Sequence, residues 1–295
     1  MAGFFARRRR HATQAEHADF PLNPDGSVIH ASHLALSSLH GPVFGPLDLK
    51  LCPGDLCVVY GTTGSGKSAL LLALTGRMRG VTGHLRIVGK EAIPDPYAAL
   101  RYTSVGRVGQ YVAPDDRLTI SELIAERAYL DGSTPAATEQ QAERIEEWLG
   151  YRVDRVAQYQ ELPAIEKTVV CAALGLVVPS AITVVDDADA DVPMDDLVPL
   201  YAALKKLAQL NGSVIVVSAS NATGVPQGTV RVHLPARTVS RLYPVEDSPA
   251  DISVASEPPE PIEVPDVSDT EVTVTRATTA ASAGKHQDGV DREER

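Results

Sequence analysis

Apolar residues along the chain fall into short runs separated by glycine, proline and charged residues. Residues 55–60 end in Leu56-Cys57-Val58-Val59-Tyr60, an apolar run of strand length, and residues 69–74 continue as an apolar run of helix type. Residues 168–185 are the longest mostly apolar stretch, interrupted at Pro179 and Ser180 and closed by Asp186 and Asp187. That pattern predicts a buried helix, a break, and then a buried strand over 182–185. Another β-rich run, Val214-Ile215-Val216-Val217, precedes Ser218-Ala219-Ser220. Residues 125–130 and 139–149 alternate at helical spacing, with Gly132-Ser133-Thr134-Pro135 as the break between them. Strands alternating with helices predict an α/β fold.

Composition changes this picture mainly at the ends. The 295 residues suffice for a sizeable core, and 44% hydrophobic and 22% charged residues are ordinary for a globular protein. Residues 245–295 hold 13 acidic and 4 basic residues, so most of the net charge of −11 sits there. Pro249, Pro258, Pro259, Pro261 and Pro265 fall in the same stretch. Such a segment buries too little apolar surface to offset its ordering entropy and reads as a disordered acidic tail. Within it Val272-Thr273-Val274-Thr275 alternates like a strand, without a flanking partner. Residues 1–26 read as a basic flexible segment, with Phe4-Phe5-Ala6 followed by Arg7, Arg8, Arg9 and Arg10. No run reaches the roughly 20 apolar residues of a membrane span, and no secretory signal opens the chain. The acidity disfavours broad nucleic-acid binding. Cys52, Cys57 and Cys171 form neither a closed disulfide framework nor a strong metal-ligand pattern.

The strongest chemical signal is Gly61-Thr62-Thr63-Gly64-Ser65-Gly66-Lys67-Ser68, followed by Ala69. It matches G-x-x-x-x-G-K-[ST] between an apolar strand and an apolar helix, the context that gives the motif its meaning. Glycines there let backbone N–H groups surround phosphate oxygens, and the helix end adds its positive dipole. Lys67 is expected at the β- and γ-phosphates of ATP and Ser68 at Mg²⁺. Asp186, at the end of the 182–185 strand, is the expected metal-side carboxylate, with Asp187 beside the γ-phosphate.

The wider order resembles the ATP-binding cassette (ABC) family of ATPase domains. Pro53-Gly54-Asp55 precedes the loop, Gly83-His84-Leu85-Arg86-Ile87-Val88-Gly89 follows its helix, and Val108-Gly109-Gln110 precedes Leu118-Thr119-Ile120-Ser121-Glu122. The resemblance covers about residues 28–243, and by it residues 228–234 and 237–243 match the paired strands that close that domain. It implies a P-loop NTPase core with a mixed sheet, a helical subdomain at about 111–167, and an antiparallel β portion. The ATP-binding domain would span 27–244. By the same resemblance Gln110 touches Mg²⁺ or the attacking water and faces a membrane partner, and His40 or Phe44 lies near the adenine position.

Four places depart from the family pattern. Leu162-Pro163-Ala164-Ile165-Glu166-Lys167 stands where L-S-G-G-Q is expected. Pro163 offers neither a hydroxyl nor an N–H, while its ring suits a helix start. Asp187 replaces a glutamate, one methylene longer. Ala219 takes the place of a histidine, and no aromatic is secure at the adenine position. Groups that bind the ground state are retained, whereas groups that act on the γ-phosphate are altered. The implied protein is a Mg-ATP-binding subunit of an ABC transporter with slow hydrolysis. It would sit in the cytoplasm against a membrane permease subunit, in a homodimer or a heterodimer with another ATP-binding subunit. The alternative is a non-transport ATP-binding regulator of the same fold.

Overall fold

The computed structural model describes residues 20–39, 41–109, 111–236 and 273–276. Two sheets carry the fold. The first is antiparallel, with strands β1 (Ile29–Ser38), β2 (Gly41–Leu51), β4 (Val81–Ile87) and β5 (Lys90–Glu91) in the order β2-β1-β4-β5. The second has the order β10-β9-β3-β8-β7-β6, comprising β3 (Leu56–Tyr60), β6 (Thr103–Arg107), β7 (Ile182–Val185), β8 (Val214–Ala219), β9 (Val230–His233) and β10 (Thr273–Arg276). Its five central and inner strands run parallel, and β10 alone is antiparallel.

Helix α1 (Lys67–Leu74) follows β3 directly. Helices α2 (Ile120–Leu130), α3 (Pro135–Leu149) and α4 (Ala164–Leu174) lie between β6 and β7, and α5 (Leu197–Leu210) leads into β8. Thr119 and Glu122 form a reciprocal capping box at the start of α2. Thr134 caps α3, with Pro135 at its first position. The break at residues 132–135 therefore separates two helices, as the sequence pattern predicts.

The parallel strands are buried on both faces, so their side chains divide by parity. Cys57 and Val59 of β3, with Val214 and Val216 of β8, join the core beneath α1 and the antiparallel sheet. Leu56, Val58, Ile215 and Val217 point the other way, into the core made with α2, α4 and α5. The expected helix, break and strand over 168–185 are α4, the turn at Pro179 and β7. Trp148 in α3 donates its indole N–H to the Lys206 carbonyl at 2.7 Å, which ties the helical arm to α5.

The tail departs from expectation at four residues. Thr273–Arg276 is not a solvated segment but β10, with Thr273 opposite His233 and Arg276 opposite Val230. The outer edge of β9 presents backbone N–H and C=O groups that need partners, and this short alternating stretch supplies them. The partner is remote in sequence, which is why neighbouring residues gave no sign of it. Residues 1–19, including the arginine run, and the rest of the tail lie outside the described residues, as do 237–243, the expected second closing strand.

Candidate functional site

The C-terminal ends of β3, β8, β7 and β6 converge on one end of the parallel sheet, where α/β folds place their ligands. The phosphate loop leaves β3 there. Gly66 has φ of 94°, and a Cβ on it would stand 2.2 Å from the carbonyl oxygen of Val43. Only glycine fits this left-handed approach. Gly61 is packed against the Leu234 carbonyl, so its backbone also has no room for a side chain.

Lys67 opens α1 and is buried. Its ammonium donates to the carbonyls of Gly61 at 2.8 Å and Thr62 at 3.1 Å, which folds the loop around its own lysine. No acidic residue lies in the first turn of α1. The positive end of the helix is thus uncompensated by carboxylate, as an anion site requires. Thr62, Thr63, Gly64 and Ser68 are exposed and Ala69 is half-buried, whereas the Ser65 hydroxyl is buried without a hydrogen-bond partner.

Two strands away, Asp186 follows β7 and is 1% exposed. Its Oδ1 accepts the Ser218 hydroxyl at the end of β8. Its Oδ2 is buried and has no hydrogen-bond partner. A buried carboxylate oxygen left unmatched costs free energy unless something else meets it. A divalent cation is a fitting group. Among the described residues no cluster of three or more His, Cys, Asp or Glu stands ready to hold a metal.

Asp187 is exposed and sits in the left-handed region, with φ of 48°. Its N–H donates to Ser218 Oγ at 2.7 Å, and its carbonyl accepts from the Arg107 guanidinium at 2.8 Å. Its carboxyl pKa is raised, chiefly by desolvation and next by the charge of Asp186. Lys67, and to a lesser degree Arg107, act in the opposite direction.

Pro163 caps α4, which begins at Ala164, so the helix survives the altered motif. The first turn carries Glu166, an acid at the helix end where the resemblance expects a phosphate. Ala219 is buried at the end of β8, and no imidazole stands there. His233 lies on the far side of β3, its ring 5.1 Å from that of Tyr60. Of the two residues expected near adenine, Phe44 is 4% exposed and packed in the core, so it is not free to stack on a base. His40 and Gln110 lie outside the described residues.

Ser218 and Arg107 are contacts that the motif pattern does not reveal. The Ser218-Ala219 step follows a strand of ordinary composition, and its role depends on β7 and β8 being neighbours.

Comparisons with known proteins agree with this architecture. A family profile described as ABC transporter matches residues 44–190. The cytochrome c biogenesis ATP-binding export protein CcmA of Xanthomonas axonopodis pv. citri is 39% identical over 72 residues, 24% of this chain and 34% of that protein. The macrolide export ATP-binding/permease protein MacB of Syntrophobacter fumaroxidans is 38% identical over 78 residues, 25% of this chain and 11% of that protein. The alignments thus span about a third or less of the length of these relatives. Among solved structures, a nucleotide-free ATP-binding cassette from an ABC transporter aligns with a TM-score of 0.57 at 15% identity, covering 70% of this chain and 87% of the other. CbiO1 from Clostridium perfringens aligns with a TM-score of 0.59 at 13% identity, covering 71% and 85%. Through residues 44–190, with a phosphate loop at the end of β3 and Asp186 at the end of β7, the chain belongs to the ABC transporter family of ATP-binding proteins.

Proposed function

We propose that the chain is the Mg-ATP-binding subunit of an ABC transporter, driving a separate membrane permease by ATP binding and slow hydrolysis. The observation that carries this reading is the pairing of a strand–loop–helix phosphate site with the unmatched Oδ2 of Asp186. Gly61, Thr62, Thr63, Gly64, Ser65, Gly66, Lys67, Ser68 and Ala69 would cradle the phosphates, with Lys67 exchanging its loop carbonyls for phosphate oxygens. Ser68 and Asp186, with Gln110, would hold Mg²⁺, which neutralises phosphate charge when bound. Asp187 and Gln110 would orient the attacking water. Asp187 is the shorter acid, and a misplacement of about 1 Å can cost roughly 10²-fold in rate.

The Pro163 start of α4 supports weak turnover by a homodimer. Its first turn offers a carboxylate, Glu166, where a facing ATP would bring its γ-phosphate. A heterodimer with a chain carrying an intact motif would escape that defect in one of its two sites. The exposed Tyr111, Val112 and Leu130, which line one groove, suit the permease partner. No helix among the described residues is long and apolar enough to cross a membrane. A peripheral position on the cytoplasmic face fits a subunit whose spans lie in another chain.

The test is to measure ATP binding and turnover side by side on the full chain, with and without the candidate permease. Magnesium-dependent binding lost in Lys67→Ala, with turnover well under one per second alone, is expected. Turnover of several per second by the isolated chain would sink the slow-hydrolysis reading. A chain that co-purifies with no multi-span protein favours the non-transport regulator.

A further inference from the structure

Arg107 is the last residue of β6, and its side chain reaches the turn that follows β7. Its Nε donates to the Asp186 carbonyl at 3.1 Å, and a terminal guanidinium nitrogen donates to the Asp187 carbonyl at 2.8 Å. Its own carbonyl accepts the Asp186 N–H at 2.8 Å, so strand and side chain both grip Asp186. Burial pushes the Tyr159 hydroxyl up in pKa, and the charge of Arg107 acts on it in the opposite direction. Tyr159 lies in the short 3₁₀ turn Tyr159–Glu161, just ahead of Pro163 and α4. That hydroxyl is 2.9 Å from the thiol of Cys171 in α4.

The approach of α4 depends on the residue before the arginine. A Cβ at Gly106 would stand 2.3 Å from the Cys171 carbonyl oxygen. Glycine here lets α4 run directly against the end of β6.

Asp187 is held on both sides. Its N–H is fixed by Ser218 and its carbonyl by Arg107, while the next N–H, that of Ala188, donates to the Ser218 carbonyl at 2.8 Å. A left-handed non-glycine residue persists where its surroundings over-determine it. Arginine is the side chain suited to this, because its rigid planar fork reaches two carbonyls at once. Lysine carries a single point of charge on a flexible stem.

We propose that Arg107 is a positioning residue, clamping the Asp187 turn at the mouth of the phosphate loop. The proposal rests on the reading that this site binds and hydrolyses Mg-ATP. Arg107 then acts on the chemical step through Asp187 and leaves nucleotide affinity to the loop around Lys67.

The experiment compares the full-length wild type with Arg107→Met and Arg107→Lys, using a fluorescent ATP analogue for binding and phosphate release for turnover. In Arg107→Met, kcat is expected to fall at least about ten-fold, with Kd and KM within about three-fold of wild type. Arg107→Lys should recover part of the loss, standing between the two. Arg107→Met turning over at the wild-type rate overturns the proposal, as does a loss of affinity equal to the loss of kcat. If the methionine variant does not fold, the lysine variant decides: a wild-type rate there also overturns it. Wild-type protein that binds ATP through Lys67 but shows no turnover refutes the positioning role and leaves the binding reading intact. Failure to bind nucleotide at all refutes that reading itself.

Discussion

The ammonium of Lys67 lies 2.8 Å from the carbonyl oxygen of Gly61, the first residue of its own phosphate loop. The lysine is therefore stored in a hydrogen-bonded position and can pass from loop carbonyls to phosphate oxygens without being stripped of partners. Charge-assisted hydrogen bonds contribute about 1.5–3 kcal/mol. Lys67→Ala should accordingly weaken ATP binding about 10- to 100-fold, read by titration with a fluorescent nucleotide. Unchanged affinity would remove Lys67 from the site.

Ser218 serves two neighbours with one hydroxyl, donating to Asp186 and accepting from the Asp187 N–H. It is fully buried. Ser218→Ala leaves both groups unmatched and should destabilise the fold by about 1–3 kcal/mol. Urea denaturation measures this through the midpoint. A change near zero would mean that water replaces the hydroxyl at no cost.

Asp187 has a folded-state pKa above its ordinary value, first because of desolvation and then because of Asp186. The folded protein thus holds this proton more tightly than the unfolded chain. Its favourable contribution is complete below the ordinary carboxylate range and is lost as pH rises through the raised value. Asp187→Asn, which also tolerates the left-handed backbone, should raise the nucleotide-free Tm at pH 7–8. The gain should shrink as pH falls toward the carboxylate range, in thermal scans across pH. A gain that grows on acidification contradicts this picture.

The start of α4 offers a gain-of-function test. Replacing Pro163, Ala164 and Ile165 with Ser, Gly and Gly rebuilds the hydroxyl and close backbone approach that the resemblance expects. Each glycine inside the helix costs about 1 kcal/mol. Turnover by the isolated chain should nevertheless rise about ten-fold or more, since donors aimed at developing phosphate charge carry large rate effects. Steady-state phosphate release measures it. No rise would place the limit at Asp187 or Ala219 instead.

The residues that were legible in the sequence are those whose roles are local. Gly61 to Ser68 is a contiguous turn between an apolar strand and an apolar helix, and Asp186 is marked by the four buried residues ahead of it. Pro163 announced a helix start through its own ring geometry, and α4 begins one residue later. What the sequence hid depends on neighbours distant along the chain. Arg107 and Asp187 are separated by 80 positions and meet only because β6 pairs with β7. The positive φ of Asp187 follows from contacts to two other strands, not from its own flanking residues. Phe44 looked available for a base because its position in the pattern was near the right place. Alternation along β2 instead turns it into the core.

β10 closes the nucleotide-binding sheet with residues that lie well past the segment matching the family profile. A chain shortened at residue 244, a natural place to trim an acidic tail, would lose that closure. Val230–His233 would then present open amides and carbonyls along their outer edge, next to β3 and the base of the phosphate loop. Such an edge invites pairing between molecules. The stretch that looks dispensable by composition thus covers the outer edge of the strand beside β3.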